Sequence, residues 1–140
     1  MRLLICAVLL AAGCTISTGN EAVSAVNDKT SDATEVVRLL LADDRLLQYL
    51  DEPTADAPLM LANKTALTIQ TQDLGLSTRS VSPEGAEALT ALVIESIESQ
   101  DGRATLHFRY APEGLRGTAV FDYDRQASRW TLATLEIFET

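Results

Sequence analysis

His107 is the only histidine in the chain and the first residue to question about chemistry. Imidazole titrates near neutrality, so a histidine in a sheet cavity can act as a general base. A Ser-His-Asp arrangement would have to use His107, yet the chain has no nucleophile elbow of the G-x-S-x-G type. Flanked by Thr105 and Arg109, His107 is equally explained as a surface position on a strand. Carboxylates are plentiful, and Asp43-Asp44, Asp51-Glu52 and Asp122/Asp124 are the closest groupings. Calcium needs six or more oxygen ligands, commonly from a loop of alternating acidic residues with a central glycine, and no such loop occurs. Zinc lacks the histidines and cysteines it prefers, and no glycine-rich phosphate loop is present. The sequence therefore predicts no catalytic residue, no metal site and no cofactor. What remains is a candidate binding set. The stretch Tyr110–Gly117 (YAPEGLRG) reads as a display loop bearing Glu113 and Arg116, with His107 and Arg109 on the strand before it. Proline and glycine in that loop also suit plain turn geometry, and Trp130 reads as core rather than as a ligand platform.

Composition narrows the partners. The chain has 140 residues, one domain's worth, with 20 acidic against 11 basic side chains and a formal net charge of −9. Such a chain repels nucleic acid and anionic headgroups, and no Lys/Arg cluster overturns the average. No nucleic-acid partner is expected.

The N-terminus, MRLLICAVLLAAGC, carries one positive charge at Arg2 and an apolar run from Leu3 to Ala12 that ends in small residues. About ten residues are too few for a permanent span but fit a signal-peptide segment. Leu10-Ala11-Ala12-Gly13-Cys14 resembles the bacterial lipobox, in which a peptidase cuts before a cysteine whose thiol takes a diacylglycerol. Ala11 departs from the more frequent leucine. The resemblance implies a signal peptide over 1–13, lipidation (palmitate) at Cys14 and a membrane attachment through that anchor. Cleavage would remove Cys6, leaving Cys14 as the only cysteine, so no internal disulfide is expected. Thr15 is not the aspartate that in lipoproteins of double-membraned bacteria signals inner-membrane retention, which implies an outer-membrane anchor in such a bacterium; the domain is expected to face the periplasm. Residues 14–31 would be the lipidated cysteine and a flexible tether with a reach of roughly 20 to 25 Å. A single domain would occupy 32–140.

Within that domain Asp32 reads as an N-cap, with Glu35 completing a capping-box-like pair. Val36, Leu39, Leu40, Leu46, Leu47 and Leu50 follow helical spacing, spoiled only at Asp43, and predict one helix to about Leu50, before Pro53. Leu59–Ala62 and Ala66–Thr71, separated by Asn63-Lys64-Thr65, predict a hairpin. Gly75–Ser82 reads as loop and Pro83–Leu89 as a short helical turn. Leu92–Ser99, Arg103–Tyr110, Leu115–Tyr123 and Trp130–Phe138 predict four strands of a meander. Asp101-Gly102 is the turn signal for the first hairpin. Ala104, Leu106, Phe108 and Tyr110 form one apolar face. A loop over Ala111–Gly114 aligns them with Gly117, Ala119, Phe121 and Tyr123, whereas the alternative register brings Thr118, Val120 and Asp122 to that face. In the last strand Trp130/Leu132 and Leu135/Ile137 compete for the core.

These elements predict an α+β class, an N-terminal helix packed on a mainly antiparallel sheet ending in a four-strand meander. Their order loosely resembles the cystatin-like and nuclear-transport-factor-like rolls. The functional expectation is a lipid-anchored envelope lipoprotein, a non-enzymatic binding or structural module with an envelope protein as partner. The alternative is a roll whose helix–sheet pocket, reaching His107, binds or converts a small molecule. A third reading is an inhibitor whose Tyr110–Gly117 loop projects clear of the sheet.

Overall fold

The computed structural model describes residues 32–140. The expected signal peptide, Cys14 and tether lie outside the described residues. Sheet is the main regular structure of the described chain, in six strands of mixed direction. It opens in a helix, α1, over 32–41, followed by a short helix α2 (Asp44–Leu47) and strands β1 (Leu59–Asn63), β2 (Thr78–Val81), β3 (Leu92–Gln100), β4 (Arg103–Tyr110), β5 (Leu115–Asp124) and β6 (Arg129–Glu139). The order across the sheet is β2-β1-β3-β4-β5-β6. β1 runs parallel to both of its neighbours, and β3 to β6 form an antiparallel meander.

The meander agrees with the sequence reading in all four strands. Asp101 and Gly102 both take positive φ (54° and 76°), the backbone of a two-residue hairpin turn matched to strand twist. The β4–β5 register pairs Phe108 with Gly117, Leu106 with Ala119 and Ala104 with Phe121, as the four-residue loop requires. Those side chains are buried, as is Leu115 opposite Tyr110, whereas Tyr123 is partly exposed.

Two one-residue bulges govern the outer pairs. In β6, Leu132 faces Phe121 and Thr134 faces Val120, so Ala133 is the extra residue. The side-chain alternation changes phase there. Trp130 and Leu132 point to the core before the bulge, and Leu135 and Ile137 after it. The competition between the two sets has a simple resolution, because both are right. A second bulge at Glu95 of β3 lets Leu92, Ile94 and Ile97 share one face opposite Tyr110, Phe108 and Leu106.

Four expectations are corrected. The helix does not run unbroken to Leu50. Asp43 leaves helical geometry (φ −83°, ψ 127°) and caps α2, its Oδ1 accepting from the Arg45 N–H at 2.9 Å. Hydrogen bonds from the Arg45 side chain outweigh partial burial and hold the Asp43 carboxyl below its usual range. Asp32 is not an N-cap either, since it is itself helical and accepts from Trp130 Nε1 at 3.0 Å. The 59–71 hairpin is absent because β2 and β3 occupy both edges of β1. Asn63 instead folds the chain away, its Oδ1 accepting from the Thr65 N–H and its Nδ2 donating to the Leu67 carbonyl, and Gln70 N–H donates to Thr34 Oγ1 at 3.0 Å. Residues 78–81 are a strand rather than loop. Thr-Arg-Ser-Val lacks an apolar alternation because β2 is a half-exposed edge. The expected turn after Pro83 is present as a 3-10 turn over Ala86–Thr90.

The main buried cluster joins Val36, Val37, Leu40 and Leu41 with Leu61, Leu92, Ile94, Leu106, Phe108 and Phe121. A smaller cluster of Ala62, Ala88, Ala91 and Val93 sits on the other side of the sheet, under the 86–90 turn. Gly117 matters most for close packing. A Cβ on it would fall within the ring of Phe108, which is only 2% exposed and has nowhere to go. We expect Gly117→Ala to lower stability by about 1–3 kcal/mol through overpacking, read as the urea midpoint. Restoration by Phe108→Leu in the Gly117→Ala background is the accompanying signature. An unchanged midpoint in Gly117→Ala would show that the ring does not hold this register.

Candidate functional site

Strand parity decides what the sheet presents on its second face. Since Leu106, Phe108, Ala119 and Phe121 point to the core, His107, Arg109, Arg116 and Thr118 point away from it. Pairing then lines these residues up in rows across the strands. One row carries Val93, Arg109, Arg116 and Phe138; the next carries Ser96, His107, Thr118 and Glu136. Three of the four candidate residues therefore meet. His107, Arg109 and Arg116 border one depression of about 430 Å³ with Glu95, Thr118 and Phe138.

His107 is exposed, and its Nδ1 lies 3.0 Å from Thr118 Oγ1. Among the described residues no carboxylate holds the other ring nitrogen, the contact that would orient an imidazole to activate a hydroxyl. The pair is thus a cross-strand hydrogen bond. Glu95, placed by its bulge, stands between two cations, with Lys64 Nζ and Arg109 Nε each 3.1 Å from one of its oxygens. The Arg109 contact is one of charge only, because its Nε–H is not aimed at the oxygen and has no hydrogen-bond partner.

Glu113 is not part of this group. It sits in the 3-10 turn Ala111–Glu113, closed by Gly114 in left-handed geometry (φ 63°). That turn does not stand clear of the sheet, since the Gly114 carbonyl accepts both the N–H and the Oγ1–H of Thr140 at 2.8 Å. Asp122 and Asp124 have local duties. Asp122 pairs with Arg103 Nε at 3.0 Å, and Asp124 caps the β5–β6 turn through the N–H groups of Gln126 and Ala127. Among the described residues, no group of three or more His, Cys, Asp or Glu side chains is gathered to hold a metal ion.

A second hollow, about 330 Å³, lies at the other end of the sheet and is lined mainly by Ala33, Val36, Leu67, Ile97, Ala104 and Trp130. It does not reach His107, which points to the opposite face. Trp130 is 7% exposed and stacks at a tilt on Tyr123, ring centroids 5.2 Å apart, so core is its first role. Sequence reasoning missed Lys64, Glu95, Thr118 and Phe138. Thr118 was available from parity with Arg116, but Glu95 and Phe138 depend on bulges that nothing in the residue types announces.

No protein-family model, no curated protein and no solved structure matches the chain. Among the described residues no helix is long and apolar enough to cross a membrane.

Tyr110, beside the turn, supplies a pH test of the core edge. Burial pushes its phenol up, and the charges of Asp51 and Glu113 push it further. A raised value means that the folded state holds the proton more tightly than the unfolded one. Its contribution is complete below about pH 10 and is lost as pH rises through the folded value. Tyr49, also raised by burial and by Glu139, adds to the same alkaline loss. We therefore expect the fall in urea midpoint between pH 9.5 and about 11.5 to be smaller in Tyr110→Phe than in the parent protein. Parallel curves for the two proteins would remove Tyr110 from the account.

Proposed function

We propose that this protein is a lipid-anchored envelope lipoprotein whose sheet domain is a non-enzymatic binding module for another envelope protein, using the open face of β3 to β6. The observation that carries the binding surface is the composition of that face. It leaves Phe138 54% exposed beside Arg116, while the opposite face is filled with Leu, Ile and Phe. Arginine and aromatic residues are the types enriched where proteins meet. The anchor is supported by Leu10–Cys14, and by the loss of the only remaining thiol that lipidation would bring about. Thr15, where an aspartate would signal inner-membrane retention, supports an outer-membrane attachment, and in this reading the domain faces the periplasm. In this reading α1 packs on the core face of the sheet, supported by the cluster it shares with β3–β5 and by the Asp32–Trp130 bond. That leaves the open face for the partner.

A second reading is favoured by the 330 Å³ hollow beside Trp130, whose mainly apolar lining would take a small apolar ligand. Quenching of Trp130 fluorescence by such a ligand, the chain's only tryptophan, would bring this reading forward.

The test of the leading reading begins with the N-terminal peptide of protein taken from its native envelope. We expect Cys14 to carry the mass of acyl chains, and Cys14→Ser to move the protein out of the membrane fraction. An unmodified Cys14 overturns the anchor. Photo-crosslinking from position 134 on the open face should recover the same envelope protein repeatedly; recovery of none above background ends the binding-module reading.

A further inference from the structure

Arg109 and Arg116 are direct cross-strand partners on the open face. Like charges placed opposite each other on neighbouring strands repel and destabilise the pairing. Glu95 answers only part of this. It is shared with Lys64, it touches Arg109 without a hydrogen bond, and it forms no pair with Arg116. Among the described residues neither guanidinium donates a hydrogen bond, and Arg116 takes part in no ion pair. Two planar forks with most of their donors unspent are a ready carboxylate receptor. Their basic character is local, in a chain whose net charge is −9.

Phe138 extends the same row. It is the partner of Arg116 on β6 and is exposed. Neighbouring strands lie about 4.8 Å apart, so the arginine pair and the phenylalanine present an anion-binding subsite and an apolar subsite within about 5–7 Å of each other. That interval is close to the spacing of residues i and i+2 in an extended peptide, about 6.7 Å. The row runs across β3 to β6, which suits a segment laid across the strands.

We infer that the Arg109–Arg116–Phe138 row is a recognition site for an acidic, extended segment of a partner protein, with an Asp or Glu carboxylate on the two guanidinia and an apolar side chain two residues away on Phe138. This rests on the binding-module reading and assigns its chemistry. His107 and Thr118 in the adjoining row flank the bound backbone with hydrogen-bonding groups.

The full mature chain, in detergent micelles, is titrated with a blocked extended hexapeptide carrying one glutamate two residues before a leucine, followed by amide chemical shifts. The expected result is a response confined to β4, β5 and the end of β6, with affinity at least 10-fold lower for the glutamine version of the peptide. Arg116→Gln should weaken binding at least 5-fold, Arg116→Lys should fall between, and 0.5 M salt should weaken all of them. The urea midpoint of Arg116→Gln should equal or exceed that of the parent, since a repulsion is relieved, and this separates lost recognition from lost folding. Equal binding of the two peptides, a response elsewhere on the sheet, or inorganic phosphate matching the glutamate peptide in affinity would each overturn the inference. Crosslinking from position 134 in the native envelope is then compared between parent and an Arg109→Gln/Arg116→Gln variant. A partner captured equally by both sinks the arginine site and leaves the binding module standing, whereas a partner captured by neither sinks the module itself.

Discussion

A one-residue slip between β4 and β5 would turn every side chain of one strand over, and the contact that forbids it is Phe108 lying across Gly117. Only a residue without a side chain leaves room for the ring, so the two positions choose each other. From that pair outwards the rest of the sheet follows. Leu106 meets Ala119, Ala104 meets Phe121, and the residues between them are committed to the other face. The site is a by-product of the same choice: His107, Arg109, Arg116 and Thr118 face outward because their neighbours face inward.

The bulges join the fold to the site. At Glu95 the extra residue keeps Ile97 in the core, and it also delivers a carboxylate between Lys64 and Arg109. At Ala133 the extra residue brings Leu135 and Ile137 to the core, and that fixes Phe138 on the outside beside Arg116. Exposed ion pairs of this kind contribute about 0–1 kcal/mol each to stability. The charges on the open face therefore add little to holding the sheet together.

The meander was readable from residue types because its signals are local. Asp101-Gly102 marks a turn, and the alternation from Ala104 to Tyr110 marks a face. What lay hidden is what depends on distant strands. β2 has no pattern of its own, since an edge of Thr-Arg-Ser-Val is defined only by the strand it leans on. The false hairpin after β1 rested on two apolar runs in succession, and propensity could not say that both edges of β1 were taken. Asp43 was the one polar residue in an apolar stripe, and that misfit was the visible trace of the helix break. In the site, the outward set on β4 and β5 was legible by counting in twos. Counting fails once a strand carries an extra residue, so Phe138 and Glu95 were not legible, and the open alternative in the last strand was an unrecognised phase change. Glu113 was grouped with Arg116 because of closeness in sequence, but the turn at Gly114 parts them.

The position of β1 has a consequence for the order in which the molecule can assemble. β3 to β6 are joined by connections of two to four residues, so their pairings close small loops and cost little chain entropy. β1 lies between β2 and β3 and runs parallel to both, and no tight turn can make such a neighbour. The bond from Asp32 to Trp130 closes a separation of 98 residues. The meander is thus the low-contact-order part of the sheet, and the pairings of β1 and the Asp32–Trp130 bond are the ones that must close long loops. A chain that emerges N-terminus first leaves β1 without β3 until that strand has emerged, and Asp32 without Trp130 until the start of β6 has.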